Sequence, residues 1–138
     1  MRQGVMKIKD EVVSAIIRHA QKNTTIEACG YLAGHDDVIT THYEMTNVDH
    51  SAEHFSLDPK EQFTVLRNAR EKGLTIYAVY HSHPHTPARP SAEDKKLASD
   101  PHMCYAIVSL AYNSTDVKFF KIKDSEIEYE DVEVITNE

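Results

Sequence analysis

The chain has 138 residues, 41% of them apolar and 27% charged, with a formal net charge of −7. That is the composition of a single soluble domain, 1–138, with enough apolar surface for a real core. The acidic balance, without a lysine–arginine cluster, argues against a protein that works by neutralising nucleic-acid phosphates. No apolar run approaches ~18 residues, so no membrane span is expected, and the start of the chain, Met1 to Lys7, lacks a signal-peptide core.

In chain order, the first predicted element is a helix from Asp10 to Lys22. Asp10 is its expected N-cap, and Val12, Val13, Ile16, Ile17 and Ala20 form one apolar stripe. Ile26 to Gly34 reads as a buried strand, with Gly30 allowing close backbone approach. Glu27 is its one charge, and a lone glutamate at a strand's start is more often solvated than catalytic. His35, Asp36 and Asp37 form a turn into an antiparallel strand, Val38 to Thr46. Asn47 to Ser56 is polar and aperiodic, a loop of the length that often carries function.

Asp58, Pro59 and Glu61 stand at the N-cap, N1 and N3 positions of a second helix. Its expected buried face is Phe63, Leu66 and Ala69, with Val65 flanking, and Gly73 ends it. Leu74 to Tyr80 reads as a buried strand, Ser91 opens a short helix to about Ser99, and Met103 to Leu110 is an apolar strand. A turn at Asn113 to Asp116 leads to a strand from Val117 to Ile122, then a last strand from Glu126 to Ile135. The expected fold class is α/β, a single-domain sandwich with a mixed sheet flanked by helices. Cys29 and Cys104 sit in apolar segments, as free buried thiols of a reducing cytoplasm would, although the spacing does not exclude a disulfide.

The chemistry concentrates between His81 and Asp94. Residues i and i+2 of a strand share a face, so His81 and His83 would project side by side from its end. Two imidazoles with a carboxylate returning nearby look like three ligands of a catalytic zinc. His85 lies among prolines, where strand alternation fails, and is expected near the site without being a ligand. Ser91 and Asp94 also have a structural reading, as the N-cap and N3 residues of a capping box. Both readings stay open on these residues alone.

The combined pattern is sharper. His-x-His (His81, His83), seven residues, then Ser-x-x-Asp (Ser91, Asp94), with Glu27 far upstream in Glu-x-Cys-Gly, resembles the JAMM/MPN+ zinc metalloproteases. Ser82 and Pro84 fit its His-Ser-His-Pro form. Asn47 followed by Phe55-Ser56-Leu57-Asp58-Pro59, and the strand Tyr105 to Leu110, extend the likeness to small prokaryotic members over roughly residues 8 to 135. There is no room for the long second insertion of the eukaryotic deubiquitinating members. The resemblance implies a three-layer sandwich of the JAMM/MPN type, related in architecture to the cytidine deaminases. It implies Zn²⁺ held by His81, His83 and Asp94, with a fourth position for water. Glu27 would be the general base and Ser91 a donor to the oxyanion. The nucleophile would be water, and Cys29 a core residue.

For this family the implied substrate is a ubiquitin-like or sulfur-carrier protein, cut after its C-terminal Gly-Gly tail. Such a tail would add as a strand at a sheet edge beside the metal, with Asn47–Ser56 as its cover. Two alternatives are a non-catalytic MPN-type interaction module and a DNA-associated protein similar to the RadC-type relatives. The complete motif set opposes the first and the acidic charge the second. A zinc deaminase would need a cysteine-pair motif, and no Cys-x-x-Cys occurs.

Overall fold

The computed structural model describes residues 5–98, 100–111 and 115–136. Its first element, β1 (Met6–Lys9), is unannounced in the sequence pattern because four residues carry only one alternation, Met6 and Ile8 inward. Helix α1 (Asp10–Lys22) has the expected bounds, but its N-cap position is Lys9, without a side-chain cap. Asp10 instead sits in the first turn, where its charge complements the helix dipole.

Strand β2 (Cys29–His35) starts later than expected, leaving Ile26, Glu27 and Ala28 in the approach to it. It turns through Asp36 and Asp37, with φ of 53° and 62°, into antiparallel β3 (Val38–Met45). Two successive positive φ values mark a turn whose twist matches paired strands. Helix α2 (Pro59–Glu71) has Asp58 as its N-cap, accepting from the Lys60 N–H. Gly73, at φ 72°, follows the helix end.

The expected buried face of α2 is only partly realised. Ala69 is buried, but Phe63 is 67% exposed and Leu66 42%. Polar side chains hold this helix down instead: Gln62 Nε2 donates to Tyr31 Oη at 3.0 Å, and Tyr43 Oη donates to Asn68 Oδ1 at 2.7 Å. Glu61 accepts from both the N–H and the hydroxyl of Thr46, each at 2.8 Å. These anchors fix the helix rotation, and Phe63 and Leu66 face water.

Strand β4 (Thr75–His83) runs three residues beyond the expected end, so both histidines are within it. Helix α3 (Ala92–Leu97), β5 (Cys104–Ser109) and β6 (Asp116–Lys123) follow. The expected helix end at Ser99 and part of the turn at 113–116 lie outside the described residues. The expected last strand is two: β7 (Glu126–Glu130) and β8 (Val132–Ile135). The sheet order is β7-β6-β5-β4-β2-β3-β1-β8. β7 pairs antiparallel with β6 at one edge, whereas β8 pairs parallel with β1 at the other. Only Asp131 separates them, so the sheet curls until its edges approach each other.

Leu32, Ala78, Tyr80, Ala106 and Val108 face α1, which brings Val12, Ile16 and Ala20 to the main core. The opposite face carries α2 through Tyr31 and Tyr43, and beside α3 a smaller cluster of Ala88, Ile107, Phe120 and Ile122. The expected three layers are therefore present.

Gly30 is a point of close approach between β2, β3 and β4. A Cβ there would collide with the Tyr43 carbonyl oxygen and come within 2.6 Å of the Tyr80 ring. Gly30→Ala is expected to destabilise the fold by about 1–3 kcal/mol through overpacking. Urea unfolding would show a lower midpoint at unchanged slope.

Candidate metal centre

The register explains how a residue more than fifty positions upstream reaches the His81–His83 strand. β2 and β4 are antiparallel neighbours with Cys29 opposite His81. Just beyond that pair, Ser82 grips the approach to β2: its Oγ accepts from the Ala28 N–H at 2.7 Å, and its own N–H donates to the Ala28 carbonyl at 2.9 Å. Ser82 thereby sets Glu27 beside His83. Glu27 is 2% exposed, in contrast to the solvated position expected for a lone glutamate.

His81 and His83 share the α3 side of the sheet, their ring centroids 5.1 Å apart. Asp94 comes to them from the first turn of α3. Its Oδ1 lies 3.2 Å from His81 Nε2 and its Oδ2 3.0 Å from His83 Nε2. These three side chains place ligand atoms within 4.8 Å of one another. Two ligands of one tetrahedral zinc stand about 3.3 Å apart, given bonds of ~2.0–2.1 Å, so the observed separations fit a shared ion.

The hydrogen bonding fits it as well. His81 Nε2 is buried, and despite its 3.2 Å approach to Asp94 neither of its ring nitrogens has a hydrogen-bond partner among the described residues. His83 Nδ1 donates to the Pro87 carbonyl at 2.8 Å, which leaves Nε2 for the centre. Asp94 completes a capping box: Ser91 Oγ accepts from the Asp94 N–H at 3.0 Å, and Asp94 Oδ2 accepts from the Ser91 N–H at 2.9 Å. The capping and ligand readings of this pair are thus compatible. The same N–H that caps the helix end orients the carboxylate toward both imidazoles.

A family model described as prokaryotic homologs of the JAB domain matches residues 9–123. The chain belongs to this family. Among relatives of this JAB-domain protein is the CysO-cysteine peptidase of Mycobacterium tuberculosis, 34% identical over 141 residues that span 98% of this chain and 97% of the relative. The desampylase of Haloferax volcanii is 34% identical over 106 residues, 73% of this chain and 75% of its own. The solution structure of protein DSY2949 from Desulfitobacterium hafniense superposes with a TM-score of 0.82 at 39% identity, covering 97% of this chain and 94% of that one. The JAB-domain protein is a small prokaryotic hydrolase of the JAMM type.

Burial decides the charge states around the centre. It pushes the Glu27 carboxyl up to about 8, with Asp94 adding to the rise and His83 opposing it. Glu27 Oε1 has no hydrogen-bond partner among the described residues. Burial likewise lowers His81 below the ordinary histidine value, against the pull of Asp94. It would raise Asp94 too, but the close approach of the His81 and His83 imidazoles outweighs it and holds the carboxyl well below the usual range.

Glu27, His83 and Ser91 line one cleft of about 430 Å³, with Ala52, Glu53 and His54 of the 47–56 loop on its wall. Cys29 is fully buried, and burial pushes its thiol up to about 12, so it is not an available nucleophile. Cys29 and Cys104 are both buried, and no disulfide joins them. His85 is exposed and lies outside the three-residue cluster.

Two residues had no chemical role in the sequence reading. Asn47 is 3% exposed and is the hub of the 47–57 loop. Its Nδ2 donates to the carbonyls of Glu27, Ser51 and His54 at 3.2, 3.3 and 3.0 Å, and its Oδ1 accepts from the N–H groups of Asp49 and Ser56 at 3.0 and 3.2 Å. Phe55 stacks on His81. Their only sequence signal was the Asn47…Phe55-Ser56-Leu57-Asp58-Pro59 pattern.

Proposed function

We propose that this protein hydrolyses the peptide or isopeptide bond following the C-terminal Gly-Gly tail of a ubiquitin-like or sulfur-carrier protein. Zn²⁺ would be held by His81, His83 and Asp94. The observation that carries the proposal is that three-residue cluster, whose His83 shares a cleft with Ser91 and with Glu27, a buried carboxyl whose Oε1 has no hydrogen-bond partner among the described residues. The relatives, a CysO-cysteine peptidase and a desampylase, support a bond at a protein's tail as the substrate.

Bound there, zinc would supply a Lewis acid for the scissile carbonyl and lower the pKa of water toward ~7. The protein's own groups do the rest. Glu27, in the cleft beside His83, takes the proton of the attacking water as a carboxylate and returns it to the leaving amine. Ser91 Oγ already accepts the Asp94 N–H, and its hydroxyl proton is directed to the oxyanion. The 47–56 loop narrows the cleft through Ala52, Glu53 and His54.

One expectation about tail binding is corrected. β4 is hydrogen-bonded by β2 on one side and β5 on the other, and the sheet's edges are β7 and β8. The sheet therefore has no free edge beside His81. An extended tail in this cleft would lie along the backbone of the 47–56 loop. Two buried cysteines that no disulfide joins favour the cytoplasm as the place of action.

The test is to incubate the zinc-loaded protein with carrier fusions extended past Gly-Gly and to read the products by mass spectrometry. Cleavage after the second glycine is expected. Intact fusions in the presence of stoichiometric zinc would instead favour a non-catalytic interaction module.

A further inference from the structure

The two histidines are oriented by different means. His83 has a hydrogen-bonded outer nitrogen, Nδ1 to the Pro87 carbonyl at 2.8 Å. His81 has none: its Nδ1 is buried without a partner among the described residues. A metal-binding imidazole ordinarily has its rotation fixed by a hydrogen bond at the nitrogen facing away from the metal. Without that bond, the His81 ring needs another restraint about its Cβ–Cγ axis.

Phe55 supplies one. Its ring stacks on His81 with centroids 4.7 Å apart and planes 25° from parallel. A flat face against a flat face resists rotation of either ring, because turning the imidazole drives its edge into the phenyl carbons. Behind the stack, Tyr105, Phe120 and Ile122 line an apolar hollow that His81 and Asp94 also border.

The loop bearing Phe55 is itself fixed. Asn47 and Leu57 form a β-bridge, and the Val48 N–H donates to the Ser56 carbonyl at 3.0 Å. The Asn47 side chain accepts the Ser56 N–H and donates to the His54 carbonyl, so it holds the residues on both sides of Phe55. The same side chain donates to the Glu27 carbonyl, and the Ser51 carbonyl accepts the Glu27 N–H at 2.7 Å. One loop therefore ties down the backbone of Glu27 and the ring of His81 together.

We infer that Phe55 is a positioning residue of the metal centre, setting the His81 ring by stacking where His83 is set by a hydrogen bond. This rests on the reading of His81 as a metal ligand. The test compares Phe55→Ala, Phe55→Leu and Phe55→Tyr with the unaltered chain. Zinc affinity is measured by competition with a chromophoric chelator, and ligand geometry by the visible d–d spectrum of the Co²⁺-loaded protein.

Phe55→Ala and Phe55→Leu are each expected to weaken zinc roughly tenfold and to shift or weaken the Co²⁺ bands. Phe55→Tyr, which keeps the flat ring, is expected to restore both. Phe55 lies half-buried on a loop, so the metal-free unfolding midpoints should stay close together. Phe55→Leu keeps most of the apolar volume and reads the stack even if Phe55→Ala fails to fold. Unchanged affinity and spectrum in Phe55→Leu would overturn the inference, as would equal losses in Phe55→Leu and Phe55→Tyr. If the unaltered chain binds neither metal, the reading of the centre itself fails, which separates that failure from an error about Phe55.

Discussion

Glu27→Gln is expected to lower turnover by about 10²–10⁴-fold while zinc stoichiometry stays at the unaltered level. The amide has nearly the shape of the carboxyl it replaces but does not take a proton from water. The same substitution carries an opposite signature in stability. In the metal-free protein, burial raises Glu27 from 4.5 to about 8. A carboxyl whose folded value is raised binds its proton more tightly in the native state. The native state therefore loses stability as pH climbs from 4.5 through 8, because only the unfolded chain ionises freely. At pH 7 this amounts to about 3 kcal/mol, at 1.36 kcal/mol per pH unit. Metal-free Glu27→Gln should thus be more stable than the unaltered chain at pH 7, with the difference vanishing below pH 4.5. Denaturant melts at pH 4, 6 and 8 measure it. A catalytic loss without that pH-dependent gain would mean that Glu27 is not the buried, desolvated carboxyl described here. Retained turnover would remove it as the base.

The parts of this molecule that were legible in its sequence are those with a local cause. The apolar stripe of α1, the Asp58-Pro59 start of α2, the Asp36-Asp37 turn and the two imidazoles at the end of β4 each follow from a few neighbouring residues. What was not legible depends on partners distant in the chain. Phe63 and Leu66 have the spacing of a buried face, yet the rotation of α2 is set by Tyr31, Tyr43 and Thr46, whose positions no local pattern reveals. Glu126 to Ile135 reads as one alternating run with a single phase shift at Glu130-Asp131, and at that shift the curl of the sheet sends its halves to opposite edges. The doubled polar pair marks the break, but period-2 alternation is the same on either edge and does not say which edge each half joins. β1 is stabilised by pairing with β3 and β8, which four residues cannot advertise.

The site divides in the same way. His81, His83 and Asp94 lie within fourteen positions of one another, and strand and helix geometry brings them together. Glu27 seemed ordinary because a glutamate's burial is invisible until Ser82 is seen holding Ala28. The 47–56 segment lacks periodicity, and its order comes from a single asparagine side chain reaching five backbone groups. Polar convergence of that kind leaves no hydrophobic pattern to read.

Asp94→Asn is expected to remove high-affinity zinc while leaving α3 in place, and it distinguishes the two duties of this residue. The amide oxygen can still accept the Ser91 N–H, and Ser91 Oγ can still accept the backbone N–H at position 94, so the capping box survives in form. What disappears is the anionic donor facing His81 and His83. Absolute stability is a poor readout, because the metal-free protein also loses those two contacts. The zinc-dependent gain is the informative quantity. At a hundredfold excess of zinc over its Kd, the unaltered chain should gain about 2.7 kcal/mol. A variant whose Kd has risen a hundredfold should gain only about 0.4 kcal/mol at the same zinc concentration. Asp94→Ala loses the capping acceptor as well, so the two variants should share the missing zinc response but differ in metal-free stability by about 0.5–2 kcal/mol, the range of a lost cap. Calorimetric melts with and without zinc, beside elemental analysis of the purified proteins, give both numbers. If Asp94→Asn keeps one zinc per chain and the full thermal gain, Asp94 serves only as the N3 residue of its helix, and the centre needs a different third ligand.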